Sequence, residues 1–271
     1  MRVIAWVHKH SGVALCTSFP QQQASMASHT LNGQKVWLKR AAKRNSQLAY
    51  APLKLLAAWF NIEALKPVPN LGGEQSIFTE AQRIRALSEA GISVPVILAE
   101  NPQALLLADA GSPEQPAVTL LEKLKKASSV EEVDKALSQS IQALNAVHER
   151  NCYLSEAFAR NILITHDQTV FIDFETDPGK VHTPINCMVR DWYCFIFSLY
   201  GKLSKSPMQI ERLTPALIDG LHSARQEVRE QFKKTLPKLL RLQKIPFKYL
   251  GSDGRKISVT LQALAMLNQR L

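Results

Sequence analysis

The sequence contains no uninterrupted apolar run approaching the about 18 residues that a membrane-spanning helix needs, which argues against an integral membrane protein. The opening Met1-Arg2 and the short stretch Val3 to Val7, cut off by His8-Lys9-His10, do not read as a secretory signal. A cytoplasmic location is therefore expected. Its four cysteines, Cys16, Cys152, Cys187 and Cys194, form no C-x-x-C pair, so the spacing signatures of zinc, dithiol and disulfide sites are all missing. Reduced, mostly buried thiols are expected instead. Acidic residues are scarce at one end: residues 201–271 hold 14 Lys/Arg against 5 Asp/Glu, while residues 1–200 hold 19 against 18. Solvated basic helix faces would account for that excess, as would an anionic partner, whether an acidic substrate, an anionic membrane surface at the inner face or nucleic acid. Aromatic residues are few in the same segment, only Phe232, Phe247 and Tyr249, which is thin for a stacking platform on single strands. Nucleic acid is not expected as a partner.

Hydrophobic residues make up 46% of the 271 positions, enough to bury a sizeable core in one large domain or two closely associated lobes. Asn32-Gly33, followed by the alternation Gln34-Lys35-Val36-Trp37-Leu38-Lys39, predicts a hairpin whose second strand carries Lys39. The polar stretch Gln21 to His29 reads as a loop. Within residues 41–73 a short helix and then an exposed loop are expected. Ile77, Ala81, Ile84 and Leu87 share a helical stripe that ends at Gly91, with Glu80 inside that helix. Val94 to Ala99 and Ala104 to Ala108 read as strands, and Asp109-Ala-Gly-Ser-Pro as a linker, which places a boundary near 109–116.

Beyond the linker, Ser129 to Glu149 predicts a long amphipathic helix with Val130, Val133, Leu137, Ile141, Leu144 and His148 inward. A loop (150–160), a strand (162–165), a turn and a strand (170–174) follow. Arg190 to Tyr200 reads as a buried helix that Asp191 opens. The remainder reads as basic and helical, broken at Pro237, Pro246 and Gly251 to Gly254.

A strand Lys, a helix Glu, a linker, a loop ending in Asn and a strand-turn-strand closing on Asp-Phe follow one another in this order. With that order the chain resembles the protein-kinase-like superfamily, and within it the small bacterial lipopolysaccharide-core and Kdo kinases and toluene-tolerance-type kinase-like proteins. The segments carrying the likeness are Glu-Ala-x-x-Ile-x-x-Leu-x-x-x-Gly-Ile-x-Val-Pro (80–95) and Phe-Ile-Asp-Phe-Glu-x-Asp-Pro (171–178). It covers roughly residues 10–200.

The resemblance implies an α+β, bilobal fold: a small antiparallel-sheet N-lobe (1–110) and a mainly helical C-lobe (111–271). It implies ATP and Mg2+ as cofactors and transfer of phosphate to a hydroxyl of a sugar-like or lipid-linked anionic acceptor. Lys39 would hold the phosphates and Glu80 would fix that Lys. Asn161 and Asp173 would hold the metal, Glu156 would be the base, and Asp191 would support the catalytic loop through its backbone N–H groups. Only 18 positions separate Asp173 from Asp191 and no Ala-Pro-Glu lies between them, which leaves little room for a peptide-binding segment and favours a small acceptor.

Three departures from the pattern favour an alternative, a pseudokinase or nucleotide-binding module without efficient transfer. Glu156 stands where the pattern has Asp, Glu175 stands where it has Gly, and Gln21 to His29 contains no glycine to cover a phosphate, leaving Ser25, Ser28 and backbone amides for that purpose.

Overall fold

A computed structural model describes residues 22, 24–41, 68, 70, 72–166, 168–249 and 251–271, and the helix and loop expected within 41–73 lie almost wholly outside them, as does Cys16. The fold is mixed α+β. Strands β1 (Met26–Leu31), β2 (Gln34–Arg40), β3 (Ile97–Asn101) and β4 (Ala104–Ala108) form one antiparallel sheet in the order β1-β2-β4-β3. Helix α1 (Gly73–Glu89) packs on it. A second, three-stranded antiparallel sheet consists of β5 (Val118–Thr119), β6 (Ile162–Ile164) and β7 (Thr169–Phe171). Among the described residues the other α-helices are α2 (Leu120–Lys126), α3 (Val130–Glu149), α4 (Pro184–Leu203), α5 (Pro207–His222), α6 (Gln226–Leu240) and α7 (Gly251–Asn268).

The Asn-Gly turn forms as expected, with Asn32 and Gly33 both at positive φ, 49° and 77°. That geometry matches the right-handed twist of the flanking strands. The pleat then divides β4 between two layers. Leu105 and Leu107 face the main core with Ile77, Ala81, Ile84 and Leu87 of α1, whereas Ala104 and Leu106 join Val36 and Leu38 on the other face. The main core continues through the helices, where α4 lies at the centre with Trp192, Phe195 and Leu199 fully buried.

Several expectations need correction. Part of the loop expected over Gln21 to His29 is strand: Met26 to His29 pair with β2, Ser28 opposite Trp37. Among the described residues β1 is an edge strand with one neighbour, a position that tolerates the polar composition that made it look like a loop. The α1 helix begins at Gly73, before Ile77, because its first turn is polar and invisible to hydrophobic spacing. Val130 is 39% exposed, since it is the first residue of α3 and lies beyond the core. Neither Pro237 nor Gly251 to Gly254 breaks a helix: Pro237 lies inside α6, and Gly251 to Gly254 form the first turn of α7. A proline removes one i to i−4 bond, yet Val228, Phe232, Leu236 and Leu239 keep α6 packed on both sides of it. Among the described cysteines Cys187 is buried, while Cys152 and Cys194 are half-buried. Among the described residues no helix is long and apolar enough to cross a membrane.

Candidate functional site

Alternation along β2 sends Val36 and Leu38 to the outer layer and leaves Lys39, paired with Leu105, on the face that α1 covers. A lysine buried there is costly unless it is paired. Its ammonium is met from two directions. Glu80 of α1 places Oε2 2.7 Å from Lys39 Nζ, and Asp173 Oδ1 and Glu175 Oε1 each lie at 2.9 Å. Burial alone would push the Lys39 pKa down, but Glu80, Asp173 and Glu175 together outweigh it and hold the group above the ordinary lysine range. Burial pushes the Glu80 carboxyl up, and Lys39 draws it back.

The two outer carboxylates are delivered by the chain that leaves β7. The expected strand to residue 174 stops at Phe171 because Asp173 adopts a left-handed φ of 72°, rare for a residue with a side chain. Beyond it the chain alternates: Phe174 and Thr176 are buried, whereas Asp173, Glu175 and Asp177 are half-buried. The Phe174 amide points at Glu80 Oε1, 3.5 Å away. The second Glu175 oxygen accepts a hydrogen bond from Asn70 Nδ2 at 2.6 Å.

The loop 150–161 lies beside this cluster. The Asn161 side chain is buried and its Nδ2 donates to the Glu156 carbonyl oxygen at 3.1 Å, closing the loop on itself. Arg160 Nη2 stands 3.6 Å from the Glu156 carboxylate. That carboxyl is pushed up by burial, lowered by Arg190, and raised further by Asp173. Glu156 and Asp173 are thus within electrostatic reach of one another.

Asp191 sits in the second turn of α4 rather than at its start, because the helix begins at Pro184 with Thr183 ahead of it. Position at a helix N-terminus therefore does not account for this acid. Its Oδ2 accepts the Leu154 N–H at 2.8 Å and lies 3.1 Å from His148 Nε2, and both side chains are buried.

Four participants were not singled out from sequence. Arg83, one turn after Glu80, lies over the Tyr153 ring at 4.5 Å and donates to the Tyr153 carbonyl. The Tyr153 hydroxyl in turn donates to Asp177 Oδ1 at 3.0 Å. Asn70 and His148 complete the set. Spacing from Glu80 offered a signal for Arg83, while His148 was placed on the inner face of α3 without a reason for a histidine being there.

Glu80, Asp173 and Glu175 offer carboxylate oxygens within 4.8 Å of one another. The space between them is filled by the Lys39 ammonium, so a cation fits only on the outward oxygens. Asp173, with its side chain 37% exposed, is the open member. Three carboxylates against one ammonium leave a formal deficit of two positive charges, and hard oxygen donors of this kind suit Mg2+. No protein-family model and no curated protein matches this chain.

Proposed function

We propose that the chain is an ATP- and Mg2+-dependent phosphotransferase of protein-kinase-like, two-lobed architecture, acting on a hydroxyl of an anionic, sugar-like or lipid-linked small molecule. The observation that carries this reading is the Lys39 ammonium, held by Glu80 of α1 on one side and Asp173 on the other, with the Glu156–Asn161 loop adjoining. Phosphoryl transfer asks for charge compensation and alignment more than covalent chemistry, and this arrangement offers both.

In this reading Lys39 keeps Glu80 and exchanges its two outer carboxylates for nucleotide phosphate oxygens. Asp173 and the Asn161 side-chain oxygen would hold the metal, which when bound would compensate phosphate charge. Glu156 accepts the proton of the acceptor hydroxyl as its oxygen bonds to the γ-phosphorus and the bond to the nucleoside diphosphate breaks. Asp191, through the Leu154 amide, keeps the loop in register.

The test is thermal melting of the wild type and Asp173→Ala with and without saturating Mg-ATP. A ligand at about 100 times its dissociation constant adds roughly 2.7 kcal/mol, a shift of several degrees. A wild-type shift that Asp173→Ala loses supports the reading, and a well-folded wild type that does not shift sinks it.

One observation favours a second reading. Lys39 is already saturated by carboxylates, and Glu175 is anchored by Asn70, as befits a module that binds nucleotide weakly and does not transfer phosphate. A Mg-ATP shift with no label transferred in a single turnover to a lipid-sugar extract would select it.

A further inference from the structure

Between Glu230 and Asp253 the chain holds six Lys/Arg and no acidic residue. Most of these charges stay at the surface. Lys234 is exposed on the second half of α6, Arg241 and Lys244 on the 3-10 turn that follows, and Lys248 on a second short 3-10 turn, Phe247–Tyr249, whereas Lys238 is half-buried and Lys233 donates to the Leu271 oxygen. Phe247 is buried and anchors that turn against α7, whereas Tyr249 is 75% exposed, with Lys248 Nζ 4.9 Å from its ring centre. The same corner gathers further positive charge. The end of α4 meets the first turns of α7 at Gly201 and Lys256, and Lys202 and Arg255, next to these two in the chain, are exposed. Among the acids there, Asp253 is committed to Lys256 at 2.6 Å. Glu227 and Glu230 lie on the opposite, N-terminal half of α6.

We infer that this corner, from the second half of α6 to the start of α7, docks the protein on an anionic lipid bilayer. Five of the six cations are lysines, point charges suited to a diffuse sheet of headgroups, whereas bidentate recognition of individual phosphates favours arginine. Tyr249 is an aromatic side chain with a polar tip, the type enriched at membrane interfaces. A single exposed ring flanked by lysines is a poor base-stacking surface. The inference does not rest on the phosphotransfer reading, because no residue of the Lys39 cluster takes part.

The experiment is flotation of the full chain with vesicles of phosphatidylcholine alone and of phosphatidylcholine with about 30 mol% phosphatidylglycerol, at about 0.1 M and about 0.5 M salt. Binding is expected only to the anionic vesicles and is expected to weaken with salt. The variant Lys234→Gln/Lys244→Gln/Lys248→Gln should bind roughly 100-fold more weakly, about fivefold for each lysine. Its melting temperature should be unchanged, since all three side chains are exposed. The control Lys125→Gln/Lys126→Gln/Lys135→Gln, on α2 and α3, has the same net charge and should bind within about twofold of wild type. Three results would overturn the inference: no binding to anionic vesicles, equal loss in both triple variants, or tighter binding to single-stranded RNA through the same three lysines.

Discussion

Glu175 Oε1 lies as close to Lys39 Nζ as Asp173 Oδ1 does, 2.9 Å in each case, so the residue standing where the kinase-like pattern has glycine competes directly for the ammonium. Glu175→Gln is expected to free Lys39 for phosphate and to tighten Mg-ATP binding by about two- to fivefold, the scale of a partly exposed ion pair. Isothermal titration reads this, and a fall in affinity would make Glu175 a metal ligand instead.

Lys39 and Glu80 form a buried pair, their side chains 10% and 2% exposed. Lys39→Met should destabilise the fold by about 3–5 kcal/mol, because Glu80 is left as a buried, uncompensated charge. In melting temperature that is a fall on the order of 10 °C. Lys39→Met/Glu80→Leu should recover most of it, and a double variant no more stable than the single would show that Glu80 does not depend on Lys39.

Glu156 is expected to impose a pH dependence of definite sign. Its carboxyl, raised by burial, binds a proton more tightly folded than unfolded. Its contribution to stability is therefore full below the ordinary glutamate range and is lost as pH rises through the raised folded value. Under the proposed function, transfer should move the opposite way over the same window, because only the carboxylate accepts a proton. Glu156→Gln should remove this component from the melting profile and lower turnover strongly. Turnover retained in that variant would discharge Glu156 as the base.

Gly220 brings α5 against α3. A Cβ there would come 2.5 Å from Ile141 Cγ2 and 3.1 Å from Trp192 Cη2. Gly220→Ala should cost about 1–3 kcal/mol by overpacking, measured by urea unfolding, and Ile141→Ala in the same chain should relieve part of it.

Much of this site could be read from the sequence because short-range rules fix the residues concerned. Asn32-Gly33 sets the hairpin register, that register puts Lys39 on the covered face, and the stripe from Ile77 to Leu87 carries Glu80 inward. What could not be read depends on partners distant in the chain. Asn70 reaches Glu175 across 105 positions, and Arg83 reaches the Tyr153 carbonyl across 70. No local periodicity encodes such pairs. Pro237 misled for a related reason: local propensity predicts a break, while packing on α4 and α7 holds α6 together. Asp191 looked like a helix opener because the charged pair Arg190-Asp191 stands directly ahead of the apolar run, while the helix starts earlier, at Pro184.

Phe174 sits between the two outer carboxylates with its ring 1% exposed, so the spacing of charge around Lys39 is gauged by how deeply an apolar ring seats in the interior. Substitutions that loosen the seat of that ring, with no charged atom altered, would act as electrostatic variants. The hydrophobic interior serves here as the ruler against which the polar chemistry is set.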